Sequence, residues 1–333
     1  MSDPGWTPWT PLDGAPTFPP AVLAEQLDGG QAFRWHRQPD DSWQGQWSTH
    51  LARLRLAPGR AGSPSPPLQS PQPTDSKAAS SPTAPPSTPL TSPQHLEWSA
   101  PIATAPTTEP ALRHYLACDD TTAAILPTAS DPHLATCVAA YPGLRILRQP
   151  FGETLLGFLC SATKQIVQIK QMIALLAERH GAPLPPAACH LLGDKLPRAL
   201  PTWAQLATVT EADLRACQLG FRARYIKGTA DMLAAEPDWL ATTAQLPFTA
   251  AKTRLLSLPG VGEKIADCVL LFGLGHHAAF PVDTWMIKAM TRRYGLDGWS
   301  PAQVAHFGRV HYGPAAGLAQ QYLFAWERTH GAK

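Results

Sequence analysis

Between Leu258 and Asp283 the chain reads LPGVGEKIADCVLLFGLGHHAAFPVD, which sets an amine, a thiol and a carboxylate at fixed spacing. Gly260 and Gly262 flank Val261, a pattern that lets one short helix reverse into the next with backbone N–H groups exposed. N–H groups at a helix start hold phosphate oxygens well. Lys264 stands at the beginning of that second helix, and Cys268 follows one turn later on the same face. Pro281 stiffens the approach to Asp283, whose carboxylate suits the cap of a helix beginning at Thr284 and so stays fixed and ionised. A neutral lysine amine can attack a sugar's anomeric carbon and form a Schiff base, which acidifies the neighbouring proton and permits strand elimination. A fixed carboxylate stabilises the cationic transition state of the same bond cleavage. Taken singly, Lys264 reads equally as a phosphate contact, Asp283 as a helix cap and Cys268 as a small core residue. Their order within one short segment favours a single site for chemistry on DNA.

Such a site needs rigid elements around it. From about Ala111 onward apolar residues recur three and four apart, as in QIVQIKQMIALLAERHG, which ends in a glycine suited to a C-cap. Thr210 and Asp213 form a capping pair ahead of LRACQLG, and RARYIKGTADMLAA continues as a helix. Further helices are expected over the hairpin, about 248–274, after Asp283, after Pro301, and through QQYLFAWERTH. Nearer the N-terminus QAFRW, SWQGQW and LARLRL read as short strands, with HLEW returning to the same sheet. The expected fold class is α+β, mostly α: a small antiparallel β domain over 1–130 and a helical region over 131–333. Residues 58–93 hold 11 prolines in 36 positions, with Ser, Thr, Gln and Ala for most of the rest. That composition cannot bury enough apolar surface to offset its ordering entropy, so it predicts a disordered insertion between two strands.

The formal net charge of +2 argues for no partner by itself. Its distribution is more useful, because residues 141–333 carry 20 Lys and Arg against 13 Asp and Glu. A basic second part fits a polyanion groove. The six cysteines, Cys118, Cys137, Cys160, Cys189, Cys217 and Cys268, are widely spaced, which points away from zinc and iron–sulfur sites. No apolar run is long enough to span a bilayer and the start is not that of a signal peptide, so the expectation is an intracellular protein with reduced thiols and no membrane partner. Bacterial cytoplasm and eukaryotic nucleus are not distinguished.

The chain resembles the 8-oxoguanine DNA glycosylase/AP lyases of the helix-hairpin-helix (HhH-GPD) superfamily. The resemblance runs through GQAFRW at 30–35, LRILRQPFGETLLGFLCSATKQI at 144–166, LGFRARYI at 219–226, the hairpin through PVD, and GPAAGLAQQYLF at 313–324. Hairpin plus PVD marks the superfamily; GQAFRW and AQQYLF single out the 8-oxoguanine branch. The resemblance implies Lys264 as nucleophile and Asp283 as the stabilising carboxylate. It implies a base pocket in which the Gly30 carbonyl accepts the N–H that oxidised guanine has and guanine lacks, Gln320 reads the Watson–Crick edge, and Phe324 and Cys268 sandwich the ring beside Pro281. DNA contacts would come from Gly260, Val261 and Gly262 of the hairpin, and from Thr163, Gln168, Phe221, Arg222 and Trp285.

Several of those positions depart from the family pattern. Ala162, Thr163, Lys164 and Gln165 replace a run of asparagines, Gln168 replaces an arginine, Phe221 a wedge tyrosine and Trp285 a histidine, while Arg222 survives as a reader of the cytosine opposite the lesion. Fewer donors aimed at the partner base imply a relaxed opposite-base preference. The implied partner is duplex DNA containing 8-oxoguanine, bound by a monomer. No cofactor is required, although relatives hold a monovalent cation on the hairpin carbonyls. The competing readings are a glycosylase for another oxidised base and a non-catalytic DNA-binding module.

Overall fold

A computed structural model describes residues 5–57, 94–184 and 197–331. Five strands, β1 (Thr10–Pro11), β2 (Trp35–Arg37), β3 (Trp43–Trp47), β4 (His50–Leu56) and β5 (Leu96–Ser99), form an antiparallel sheet in the order β1-β5-β4-β3-β2. Three of the expected strands hold. Most of QAFRW, however, is not strand: pairing begins only at Trp35, opposite Gly45, and the preceding residues form a loop. The expected insertion at 58–93 lies outside the described residues, but its two ends leave β4 and β5, which are adjacent antiparallel partners with Leu56 opposite Leu96. Trp35 is fully buried on this sheet, stacked on Trp47 at 6.0 Å, and its indole N–H donates to the Tyr115 hydroxyl at 3.3 Å.

Tyr115 closes α2 (Ala105–Tyr115), which begins earlier than Ala111 and packs on β4. A second helix that periodicity did not suggest, α1 (Pro20–Asp28), starts with a proline in its first turn and ends at Gly29, just before the loop that carries Gly30. The chain then runs through α3 (Pro132–Ala140), α4 (Phe151–Ser161), α5 (Ile166–His180), α6 (Trp203–Thr208) and α7 (Glu211–Leu214). Thr210 caps α7 as expected, accepting the Asp213 N–H at 3.1 Å. The last seven helices are α8 (Arg222–Ala235), α9 (Trp239–Ala244), α10 (Phe248–Leu256), α11 (Glu263–Leu274), α12 (Thr284–Tyr294), α13 (Pro301–Tyr312) and α14 (Ala316–His330).

Two helices are apolar nearly all round, and a helix of that kind must sit inside. In α4 every residue from Thr154 to Cys160 is buried, and in α11 every residue from Ile265 to Phe272. They pack on each other, with Phe158 stacked on Phe272 at 5.5 Å. One contiguous apolar core extends from Leu12 near β1 to Ala325 in α14, so sheet and helices share an interior.

Buried Asp131 ties three helices together. Its Oδ1 accepts the Leu134 N–H at 2.8 Å, capping α3, and its Oδ2 receives the Tyr294 hydroxyl at 2.9 Å while lying 3.1 Å from His311 Nε2. Burial raises its pKa, but the Leu134, His311 and Tyr294 contacts outweigh that and hold it below the ordinary aspartate value. A depressed carboxyl contributes stability that is complete above its unfolded value and disappears as pH falls through the folded one. Asp131→Ala is therefore expected to cost about 2–4 kcal/mol at pH 7 in chemical denaturation. The gap between variant and parent should narrow below about pH 4; a gap unchanged by acidification would contradict this assignment.

Candidate active site

The hairpin between α10 and α11 depends on Gly260. Its φ is +78°, and a β-carbon there would stand 2.7 Å from Tyr225 Cβ, so both the conformation and the space require glycine. The Val261 N–H is not exposed, contrary to expectation: it donates to the Leu258 carbonyl at 3.1 Å, and the Val261 side chain is buried. The tight reversal consumes that donor. The N–H groups suited to phosphate are instead those of the first turn of α11, where Gly262 is the N-cap and supplies no side-chain oxygen. Lys252 fastens the two helices together, with Nζ 2.7 Å from Glu263 and 2.8 Å from buried Asp267. Burial raises the Asp267 pKa, and Lys252 opposes that rise.

Lys264 is held half-buried by the first turn of α11, with Nζ 5.2 Å from the centre of the Phe158 ring. One turn on, Cys268 is buried, and burial pushes its thiol up to about 11 against the opposing influence of Lys264. It therefore remains a thiol at neutral pH. Asp283 caps α12, its Oδ1 accepting the Met286 N–H at 2.9 Å, the geometry expected from PVD. Lys264, Cys268, Pro281, Asp283, Gln320, Phe324 and Gly30 all line one cavity, together with Phe158, Phe272 and Gln321. Its volume is about 50 Å³. Cys268 and Gln320 are buried, whereas Phe324 is partly exposed.

Gly30 reaches this cavity from the other half of the chain. Its φ is +111°, and a β-carbon added there would stand 3.5 Å from Ile166 Cδ1 and 3.9 Å from Phe324 Cε1. The adjoining Gln31 is anchored to the segment before α4: its amide donates to the Arg145 carbonyl at 2.9 Å and accepts the Leu147 N–H at 3.0 Å. Gln149 then donates to the Gln31 carbonyl at 2.7 Å.

A second group of expected contact residues lies around the start of α8. Exposed Phe221 is followed by Arg222, whose guanidinium sits 4.4 Å from the Phe221 ring centre, and Phe221 meets Tyr225 edge-on at 6.2 Å, next to Gly260. Arg222 itself is buried, donating to the carbonyls of Leu219 and Ala162 and to Thr163 Oγ1 at 2.9 Å. Thr163 is exposed at the turn after α4, with φ +55°. Of the other expected contact residues, Gln168 is exposed and its Oε1 accepts the Gln165 N–H at 3.3 Å at the start of its own helix, and Trp285 carries Lys288 Nζ 5.3 Å from its ring centre. Among the described residues no group of three or more His, Cys, Asp or Glu could hold a metal ion.

Sequence reasoning missed Phe158, Phe272 and Gln321. Phe272 was within reach, since Lys264, Cys268 and Phe272 recur at four-residue intervals along one helical face. Gln321 carried no such signal, because successive helical residues ordinarily face different ways.

The description HhH-GPD superfamily base excision DNA repair protein matches residues 156–310, and that of the 8-oxoguanine DNA glycosylase N-terminal domain matches residues 20–155. The chain belongs to the HhH-GPD superfamily. It is 29% identical to the N-glycosylase/DNA lyase OGG1 of Arabidopsis thaliana, over 97% of this chain and 81% of that protein. A probable N-glycosylase/DNA lyase of Methanothermobacter thermautotrophicus is 39% identical, over 36% of this chain and 38% of its own length. Among solved structures of the superfamily, the Clostridium acetobutylicum 8-oxoguanine glycosylase/lyase bound to double-stranded DNA with cytosine opposite 8-oxoguanine superposes with a TM-score of 0.74 at 29% identity, covering 93% of this chain and 92% of that one. MBOgg1 in complex with a low-affinity DNA ligand gives 0.77 at 23% identity, covering 98% and 100%, a likeness of fold.

Gly260→Ala in this superfamily hairpin is expected to cost about 1–3 kcal/mol of stability through strain and to weaken duplex binding, read by denaturation and by fluorescence anisotropy. Unchanged affinity would remove the hairpin from the DNA interface.

Proposed function

We propose that this protein excises 8-oxoguanine from duplex DNA in base excision repair and cuts the resulting strand, with Lys264 as nucleophile. The observation that carries the proposal is the single cavity shared by Lys264, Asp283, Gly30, Gln320 and Phe324. A flipped nucleotide enters beside Phe324. The Lys264 amine attacks C1′ while the bond from C1′ to the base breaks and its electron pair leaves with the base. Asp283, held by the Met286 N–H, balances positive charge developing on the sugar. Ring opening converts the adduct to a Schiff base, loss of a C2′ proton follows, and the 3′ phosphate departs by elimination. No step needs a metal or redox cofactor, and a single chain carries every group named.

Selection of the lesion rests on the Gly30 carbonyl, left unpaired against guanine and satisfied by the extra N–H of 8-oxoguanine. Preference for the opposite base is expected to be weak. The Arg222 Nη1 and Nη2 groups already donate to Leu219, Ala162 and Thr163, and Gln168 turns back toward Gln165, which supports a reader surface with fewer free donors.

Single-turnover nicking of a duplex carrying one 8-oxoguanine tests the reading. The parent is expected to cut it and to leave the guanine control intact; Lys264→Gln should bind the same duplex without cutting it. Retained nicking by Lys264→Gln would assign the chemistry to another group. Excision rates opposite each of the four bases should agree to within a few-fold, and strict dependence on cytosine would refute the relaxed preference.

A further inference from the structure

The geometry points to Arg328 as a positioning residue that sets both walls of the base pocket, an inference that rests on the function proposed above. Arg328 lies on α14 one turn beyond Phe324, and its guanidinium sits 5.4 Å from the centre of that ring. The same guanidinium donates from Nη1 to the Gly29 carbonyl at 2.6 Å and to Glu25 Oε1 at 3.1 Å. Gly29 caps the end of α1, with its N–H on the Glu25 carbonyl at 2.9 Å. The Glu25 carboxylate folds so closely under Gly29 that a β-carbon there would stand 2.3 Å from Oε1. Burial raises the Glu25 pKa, and Arg328 opposes the rise, so the pair is a partly desolvated contact rather than an exposed one.

The consequence concerns the peptide planes on either side of Gly30. A glycine has no side chain to restrict it, and the Gly30 carbonyl points into the pocket only if its neighbours are held. On the C-terminal side Gln31 is held by Arg145, Leu147 and Gln149. On the N-terminal side the Gly29–Gly30 peptide is held by Arg328 through the Gly29 carbonyl. Because Arg328 also flanks Phe324, it sets the spacing between the carbonyl that reads the lesion and the ring that covers it. Lys264 and Asp283 stand on α11 and α12 and take no support from this arginine. Removing it therefore acts on the step that needs a base in the pocket and spares the step that needs only the sugar.

Two substrates separate those steps: a duplex carrying 8-oxoguanine and the same duplex carrying a preformed abasic site. With full-length protein whose melting temperature stays near that of the parent, Arg328→Met is expected to slow excision of 8-oxoguanine by about tenfold or more while leaving abasic-site nicking at the parent rate. Arg328→Lys keeps a donor for the Gly29 carbonyl and is expected to recover much of the excision rate, which a role in global stability alone would not predict. If the parent leaves 8-oxoguanine in place, the functional reading and the role of Arg328 fall together. If the parent excises it and Arg328→Met does so equally fast, or if both activities fall by the same factor in both variants, only the role of Arg328 is overturned.

Discussion

A helix buried on every side has only its ends free for chemistry, and α11 is such a helix. Its residues from Ile265 to Phe272 are all inside, packed against the equally apolar α4. The amine is therefore confined to the first turn, where the hairpin opens, and its approach direction is fixed by the core rather than by its own flexible stem. Fully burying one such Leu or Phe side chain contributes about 1.5–3 kcal/mol, so the placement of Lys264 is underwritten by contacts that have no part in the reaction. Asp283 obeys the same logic at the start of α12, where its cap to Met286 orients the carboxylate and completes the helix end with one hydrogen bond.

The pocket also depends on the N-terminal half of the chain. Gly30 belongs to a loop between α1 and β2, yet it faces a cavity whose other walls come from α4, α11, α14 and the segment that leads through Pro281 and Asp283 into α12. Polar anchors bring it there. Gln26 and Gln31 both bond to the backbone of residues 145–147, and Arg145 in turn donates to the carbonyls of Ala117 and Asp120. Both glutamines are buried, so leaving either unpaired would be costly, and this selects one position for the loop. Specificity and chemistry thus come from separate elements that meet at one cavity.

Local signals carried much of this in the sequence. The hairpin, the Asp283 cap, the Thr210 cap and the helices after Pro301 and through AQQYLF follow from turn glycines, capping residues and apolar spacing, all readable within a few residues. What was not legible depends on distant partners. QAFRW has the composition of a strand, but the demands of Gln149 and Arg145 on Gln31 hold most of it as a loop. Arg222 looks like a free basic side chain until the chain returns Ala162 and Thr163 to meet it. Val261 sits in a motif associated with exposed N–H groups, and only the closeness of the turn shows that Leu258 takes its donor.

The central claim is that the Lys264 nitrogen becomes bonded to C1′ of the lesion nucleotide. Borohydride reduction during reaction with an 8-oxoguanine duplex, followed by proteolysis and mass spectrometry of the trapped complex, tests it directly. The account predicts a reduced nucleotide adduct on the peptide containing Lys264. An adduct mapped to another lysine or to the N-terminus, or cleavage of the strand with no trapped species, would contradict it.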